Sequence, residues 1–185
     1  MQTDEEIARL VQSGDSERYG ELIERYQPKL LRYGKRFLLD DDDAADIVQD
    51  ILIKAYENIR SFDASRRFSP WIYRIAHNEF INAIKKRRAS RTVFAFDIDT
   101  LFPHLAAPET ADRGALDRDL RRMLETHLGK LDPKYSEPLI LYYLESMDYR
   151  EISDILEIPV STVGVRLARG REQLRKLAGI DQNLL

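Results

Sequence analysis

Apolar residues recur every third or fourth position along most of this chain and almost never alternate. That is the period of an α-helix, in which side chains at i, i+3, i+4 and i+7 share a face. Tyr19, Leu22, Ile23, Tyr26, Leu30, Tyr33 and Phe37 form such a stripe within residues 16–38, where Pro28 predicts a bend or an interruption. From residue 89 to residue 116 the period stops, and Pro103, Pro108, Gly114 and several Thr and Asp take its place. It resumes at residue 117. The expected fold is therefore all-α: two small helical domains, over 1–90 and 117–180, joined by a flexible linker over 91–116. Such a linker reaches at most about 90 Å. Its Val93, Phe94, Phe96, Leu101, Phe102 and Leu105 are apolar enough to need a surface to dock on.

Start and stop signals divide the two halves further. Thr3 and Glu6 make a capping box for a first helix ending near Gly14. The Asp40–Asp43 run suits the positive end of a helix over about 43–59 that buries Ile47, Ile51, Ala55 and Ile59. Ser69 as cap and Pro70 at the first helical position open a helix reaching residue 88. In the second half, residues 117–129 carry Leu120, Met123, Leu124 and Leu128 on a helical stripe. Asp132-Pro133 opens a helix with Leu139, Ile140, Tyr143 and Leu144. Asp148 and Glu151 cap a short helix, Tyr149 to Leu156, that Ile158-Pro159 breaks. Ser161 is expected to cap the last helix, which reaches Leu177 and stops at Gly179.

Charge is informative through its placement, because the net charge is only −3 while 33% of the residues are charged. Residues 60–88 hold eight Arg or Lys against Asp63 and Glu79, and residues 164–177 hold five against Glu172. The acids collect in Asp40–Asp43 and Asp46. Two basic stripes and one acidic one suit a protein that meets polyanion at two places and a basic surface at a third. The absence of cysteine excludes disulfides and thiolate chemistry. The opening MQTDEEIARL is acidic where a signal peptide would be basic then apolar, so a soluble, cytoplasmic protein without membrane insertion is expected.

The stretch "SPWIYRIAHNEFINAIKKRR" winds into a helix with two unlike faces. Ile72, Ala76, Phe80 and Ala83 fall on one. Trp71, Arg74, Asn78, Asn82 and Lys85 fall on the other, with Arg88 at its edge. Planar, amide and cationic groups together suit unstacked bases and their backbone. The plainer reading is a core helix with a wet side, in which Trp71 folds under the preceding loop. A second candidate is "DYREISDILEIPVSTVGVRLARGREQLRKL", which has the anatomy of a helix-turn-helix. Ile152, Ile155, Leu156 and Ile158 pack against Val163 and Leu167, while Ser161, Thr162, Arg166 and Arg169 face outward toward a DNA groove. Otherwise it is an ordinary helical hairpin. The helix in "DDDDAADIVQDILIKAYENI" exposes Asp46, Gln49, Asp50 and Ile53, either to water or to a basic partner. That stretch lacks the glycine and distal glutamate of a calcium loop, so no metal is expected. His77, His104 and His127 have no metal-ligand spacing, and there is no phosphate loop or nucleophile elbow. Neither catalysis nor a cofactor is expected.

In order, these pieces resemble the extracytoplasmic-function group of the sigma-70 family of bacterial transcription initiation factors. The resemblance rests on "DAADIVQDILIKAYENI", "FSPWIYRIAHNEFINAIKKRR" and "LDPKYSEPLILYYLESMDYREISDILEIPVSTVGVRLARGREQL". It implies that Asp46, Gln49, Asp50 and Ile53 bind core RNA polymerase at the β′ clamp helices. It implies that Trp71, Arg74, Asn78, Asn82, Lys85 and Arg88 open the −10 element, with Asn78 at the position that holds a non-template base. Ser161, Thr162, Val165, Arg166 and Arg169 would read the −35 element while their domain rests on the β flap. The linker would thread toward the polymerase active-site channel, and an anti-sigma factor is a further partner the resemblance leaves open. This chain departs from the family pattern at Gly164 and Val165, where a basic and a small polar residue are usual, and at Gly170, where alanine is. A mid-helix glycine costs roughly 1 kcal/mol relative to alanine, so looser helix packing and a lost phosphate contact are expected. The rival reading is a stand-alone helix-turn-helix regulator that binds duplex DNA without polymerase.

Overall fold

The computed structural model describes residues 2–35, 41–89, 127 and 130–179. The expected linker, most of the expected helix over 117–129, and Phe37 lie outside the described residues. The chain divides into two compact units. All regular structure among the described residues is helical.

In the first unit, α1 (Asp4–Gln12) starts on the expected capping box: Thr3 Oγ1 accepts from Glu6 N at 3.2 Å, and Glu6 Oε2 from Thr3 N at 2.9 Å. Gly14, at φ +112°, turns the chain into a short 3-10 turn, Ser16–Arg18, and then α2 (Tyr19–Gly34). Pro28 does not interrupt α2. Pro28 and Glu24, whose carbonyl the missing N–H would have met, are both exposed, where solvent can replace the lost partner. The inward stripe of Tyr19, Leu22, Tyr26, Leu30 and Tyr33 is buried as expected, whereas Ile23 is half-buried.

Helix α3 (Asp41–Asn58) starts within the aspartate run and passes through a 3-10 turn, Ile59–Ser61. Ala44, Val48, Ile51, Leu52, Ala55 and Ile59 are buried; Ile47, expected among them, is half-buried. Helix α4 (Phe68–Ala89) starts before Ser69 rather than after it. The Phe68 N–H is met by Glu5 Oε1 at 2.9 Å, so a distant carboxylate serves this end where a local serine was expected. Aromatic rings fill the space between α2 and α4. Phe68 lies 5.2 Å from Tyr26 and 5.2 Å from Phe62, and Tyr33 lies 5.2 Å from Tyr73 and 5.8 Å from Phe80. A Cβ on Gly34 would come within 2.7 Å of Phe80 Cε1, so α2 needs glycine where it meets that ring.

In the second unit, Asp132 caps α5 (Pro133–Leu139), with Pro133 at the first position as expected. The next five residues, Ile140–Leu144, widen into a π-helical turn in place of the plain helix expected there. Pro138 has no N–H to continue the regular ladder, and beyond it Glu145 N reaches back five residues to Ile140 O at 3.2 Å. The wider turn buries Leu139, Ile140 and Leu141 in succession. Helix α6 (Tyr149–Leu156) has the expected Asp148–Glu151 capping box. Glu157 then takes the left-handed conformation at φ 54° and ψ 40°. Helix α7 (Val160–Leu177) begins directly after Pro159. Ser161 is therefore not its cap. It stands in the first turn, exposed, because Pro159 in extended geometry already supplies the carbonyl that Val163 N meets at 3.1 Å. Gly170 does not loosen α7 either. Its missing Cβ would lie 2.9 Å from Leu139 Cδ1 and 3.2 Å from Tyr135 O, so it lets α7 close on α5.

Candidate nucleic-acid interface

Along α4, Arg74, Asn78, Asn82 and Lys85 are all exposed, while Ile72, Tyr73, Ala76 and Phe80 are buried. Successive steps of four, four and three residues hold the exposed four on one side of the helix. The helix therefore has the two faces its sequence implies. Ala83 is only half-buried, and Tyr73, which sequence reasoning did not place in the core, is fully inside against Tyr33. Trp71 is half-buried, with its ring 5.2 Å from Phe62 and 5.3 Å from Phe68. It thus folds against the preceding loop while remaining at the margin of the polar face. Arg88 lies within α4, but its side chain is outside the described residues.

Glu79 is the only acid in α4, beside Asn78, and Lys54 Nζ on α3 meets its Oε2 at 2.5 Å. That pair neutralises a charge that would repel phosphate. Just before α4 the chain adds Arg60, Arg66 and Arg67, all exposed. Asp63 is held below the usual carboxylate range by hydrogen bonds from the Ser65 hydroxyl and backbone N–H.

On α3, Asp46, Gln49 and Asp50 are exposed, and Ile53 keeps 56% of its surface in water. Sequence reasoning missed Tyr56, which stands three residues further on, is 43% exposed and lies 5.0 Å from Tyr19. The i, i+3 spacing from Ile53 was the available signal. Two neighbouring exposed apolar side chains thus stand beside three exposed polar ones.

In the second unit, α6 and α7 form the expected helix-turn-helix, with Ile152, Ile155, Leu156, Val163 and Leu167 buried between them and Ile158 half-buried. Ser161 is exposed, and Thr162, Val165, Arg166 and Arg169 are half-buried at the spacing of one helix side. Two further cations of α7 have partners within the unit: Arg171 Nη1 donates to Tyr143 Oη at 3.4 Å, and Lys176 Nζ meets Glu172 Oε1 at 2.7 Å. Gly164 is buried in α7.

Two protein families match the chain: Sigma-70 region 2 over residues 22–90, and Sigma-70, region 4, over residues 121–174. The ECF RNA polymerase sigma factor SigW of Bacillus subtilis is 34% identical over 171 residues, 90% of this chain and 91% of its own length. The ECF RNA polymerase sigma-E factor of Haemophilus influenzae is 31% identical, with 93% of each chain covered. Among solved structures, CnrH in complex with the cytosolic domain of CnrY has a TM-score of 0.66 at 26% identity, covering 95% of this chain and 97% of that one. The sigma factor RpoE of Bartonella quintana, in complex with the anti-sigma factor NepR, has a TM-score of 0.64 at 26% identity, covering 89% and 98%. No described helix is long and apolar enough to cross a membrane.

Proposed function

The chain belongs to the extracytoplasmic-function group of the sigma-70 family, and on that premise we propose which of its surfaces does which part of promoter-specific initiation. It is an RNA polymerase sigma factor, which binds core polymerase and promoter DNA, and not a stand-alone regulator. Sigma factors are initiation factors, and no catalytic residue is assigned here. The working compartment is the cytoplasm, where polymerase and template are. The first unit, within 1–90, takes core polymerase and the −10 element. The second, within 117–180, takes the −35 element and the β flap, and 91–116 connects them.

The observation that carries this reading is the two-sided build of the first unit. Asp46, Gln49, Asp50, Ile53 and Tyr56 line an exposed side of α3, while Arg74, Asn78, Asn82 and Lys85 line an exposed side of α4. An acidic, partly apolar surface suits the clamp helices of β′, and like-for-like charge reversal would repel them. The α4 side suits a strand whose bases have left the stack, with Asn78 supplying amide hydrogen bonds to one extruded base. Arg166 and Arg169, with Ser161, Thr162 and Val165, suit the major groove of the −35 duplex. Structural similarity to RpoE, solved in complex with the anti-sigma factor NepR, supports an anti-sigma factor as a further partner of this chain.

The test adds the protein to core RNA polymerase on a promoter library. Defined start sites that appear only with both components support the reading. Sequence-specific retention of duplex DNA by the protein alone, without polymerase-dependent starts, would overturn it.

A further inference from the structure

One side of α1 carries a set of contacts that polymerase and promoter binding leave unexplained. Glu5, Arg9 and Gln12 stand at i, i+4 and i+7, on one face of the helix. All three hold the backbone of the connection between α3 and α4. Glu5 Oε1 accepts from Phe68 N at 2.9 Å, and Arg9 Nη2 donates to Ala64 O at 2.7 Å. Gln12 Nε2 donates to both Ile59 O and Phe62 O, each at 2.7 Å. Followed along α1, the partners run backwards through residues 68, 64, 62 and 59. The helix and the connection are thus antiparallel, and the stripe grips the connection at both ends and in the middle.

Bonds to backbone fix the path of a loop whatever its own side chains are. They therefore do not draw on the outward side chains of the connection, among which Arg60, Arg66 and Arg67 are exposed. The tip is closed as well, since Ser65 N and Oγ both donate to Asp63 Oδ1, at 2.9 and 2.7 Å. Phe62, inside the gripped segment, packs on Trp71 at the margin of the polar side of α4. The connection is therefore continuous with the surface assigned to the separated strand.

We propose that Glu5, Arg9 and Gln12 are positioning residues for promoter opening: α1 splints residues 59–68 so that they flank the α4 face in a fixed shape before DNA arrives. The proposal rests on the reading of that face as a strand-binding surface. A loop that must order on binding subtracts its conformational entropy from the affinity, so a loop ordered beforehand binds more tightly through the same contacts. The arrangement also separates tasks, because a helix that need not touch DNA sets the geometry of residues that do.

The test uses holoenzyme made with the full chain carrying Arg9→Ala and Gln12→Ala together. Ile7, Ala8 and Val11, which bury α1, are untouched, and a Leu22→Val variant chosen for an equal loss of Tm serves as the stability control. Core polymerase affinity is expected to be unchanged. Backbone amides of residues 59–68 should exchange faster, and both promoter opening and affinity for a single-stranded −10 oligonucleotide should fall by about tenfold. Arg9→Lys, which keeps a donor toward Ala64 O, should recover most of what Arg9→Ala loses. Unchanged amide exchange in the double variant would overturn the splint. So would faster exchange with opening no worse than in Leu22→Val. Asn78→Ala run alongside separates the two ideas. Undiminished opening in that variant overturns the strand-binding reading and the proposal with it. Lost opening there, with control-like opening in the double variant, overturns the splint alone.

Discussion

The two helical units are held together by different kinds of contact. In the first, polar side chains bridge residues far apart in sequence: Tyr19 Oη donates to Leu52 O at 2.6 Å, Tyr26 Oη to Asp4 Oδ2 at 2.6 Å, and Gln12 to Ile59 and Phe62. Burial pushes the phenols of Tyr19 and Tyr26 far above their ordinary range, so both stay protonated and act as donors. The second unit also has such a bridge, from Arg171 to Tyr143, but its caps are local. Asp132 receives Lys134 N, Asp148 and Glu151 exchange bonds across three residues, and Ser153 Oγ donates to Ile158 O at 2.6 Å. The core differs too, with Tyr and Phe rings in the first unit against mainly Leu, Ile and Val in the second. The contrast fits the two tasks assigned. Reading a duplex groove needs a helix set at the right angle, which a short motif can supply. Taking a base out of a stack needs a surface that does not yield when the base arrives.

The largest expected effect comes from attacking the aromatic frame. Phe68, fully buried among Tyr26, Phe62 and Trp71, should cost about 3–5 kcal/mol when replaced by Ala. Amide exchange should show lost protection across the first unit while residues 130–179 keep theirs. Equal loss in both would mean that the units are not separate cooperative bodies.

Charge reversal tests function on that same frame. Asp46→Lys with Asp50→Lys should weaken core polymerase binding by on the order of several kcal/mol, with Tm nearly unchanged because both residues are exposed. Titration of labelled protein into core polymerase measures this, and unaltered affinity would return the acidic side of α3 to plain solvation.

In the second unit the matching change is Arg166→Ala, expected to cost about 1–3 kcal/mol in −35 recognition if the guanidinium meets a base edge. Competition among promoters with single −35 substitutions separates that from a phosphate contact, which would weaken all of them alike. The smallest effect belongs to the local caps. Asp148→Ala should lower stability by about 1 kcal/mol in a melting experiment, since it leaves the N–H groups of Arg150 and Glu151 to water. A loss several times larger would show that the second unit, too, depends on one keystone contact.

The same contrast explains what was legible in the sequence. Both capping boxes, the Asp132-Pro133 start and the limits of α6 are decided by residues within one turn, and the structure has them where the sequence implies. Readings that failed were those in which another group, distant or adjacent, outweighed the residue expected to act. Ser69 did not cap α4 because Glu5 meets the first N–H, and Ser161 did not cap α7 because Pro159 already begins the turn. Gly170 reads as a helix weakener until α5 is beside it, where its missing Cβ leaves room for Leu139 and Tyr135. For the candidate site, one-dimensional periodicity was enough to separate the exposed side of α4 from its core. It could not place Trp71 against Phe62 and Phe68, nor Tyr56 beside Ile53 as part of the exposed α3 surface. The stripe on α1 has ordinary helix-forming residues, and nothing local marks its partners as the backbone of residues 59–68.

The central claim is that the exposed side of α4 receives a base drawn out of the promoter, with Asn78 as its amide partner. Permanganate reactivity of unpaired thymines in the −10 region, measured on holoenzyme carrying Asn78→Ala, tests it most directly. The account predicts intact folding, core binding and −35 recognition, with thymine reactivity reduced by about fivefold or more, because an extruded base forfeits a few kcal/mol of stacking that the protein must return. A template with a pre-melted −10 bubble should recover only part of the loss. Thymine reactivity equal to that of the unaltered holoenzyme would contradict the claim and leave Asn78 a solvated residue on a structural helix.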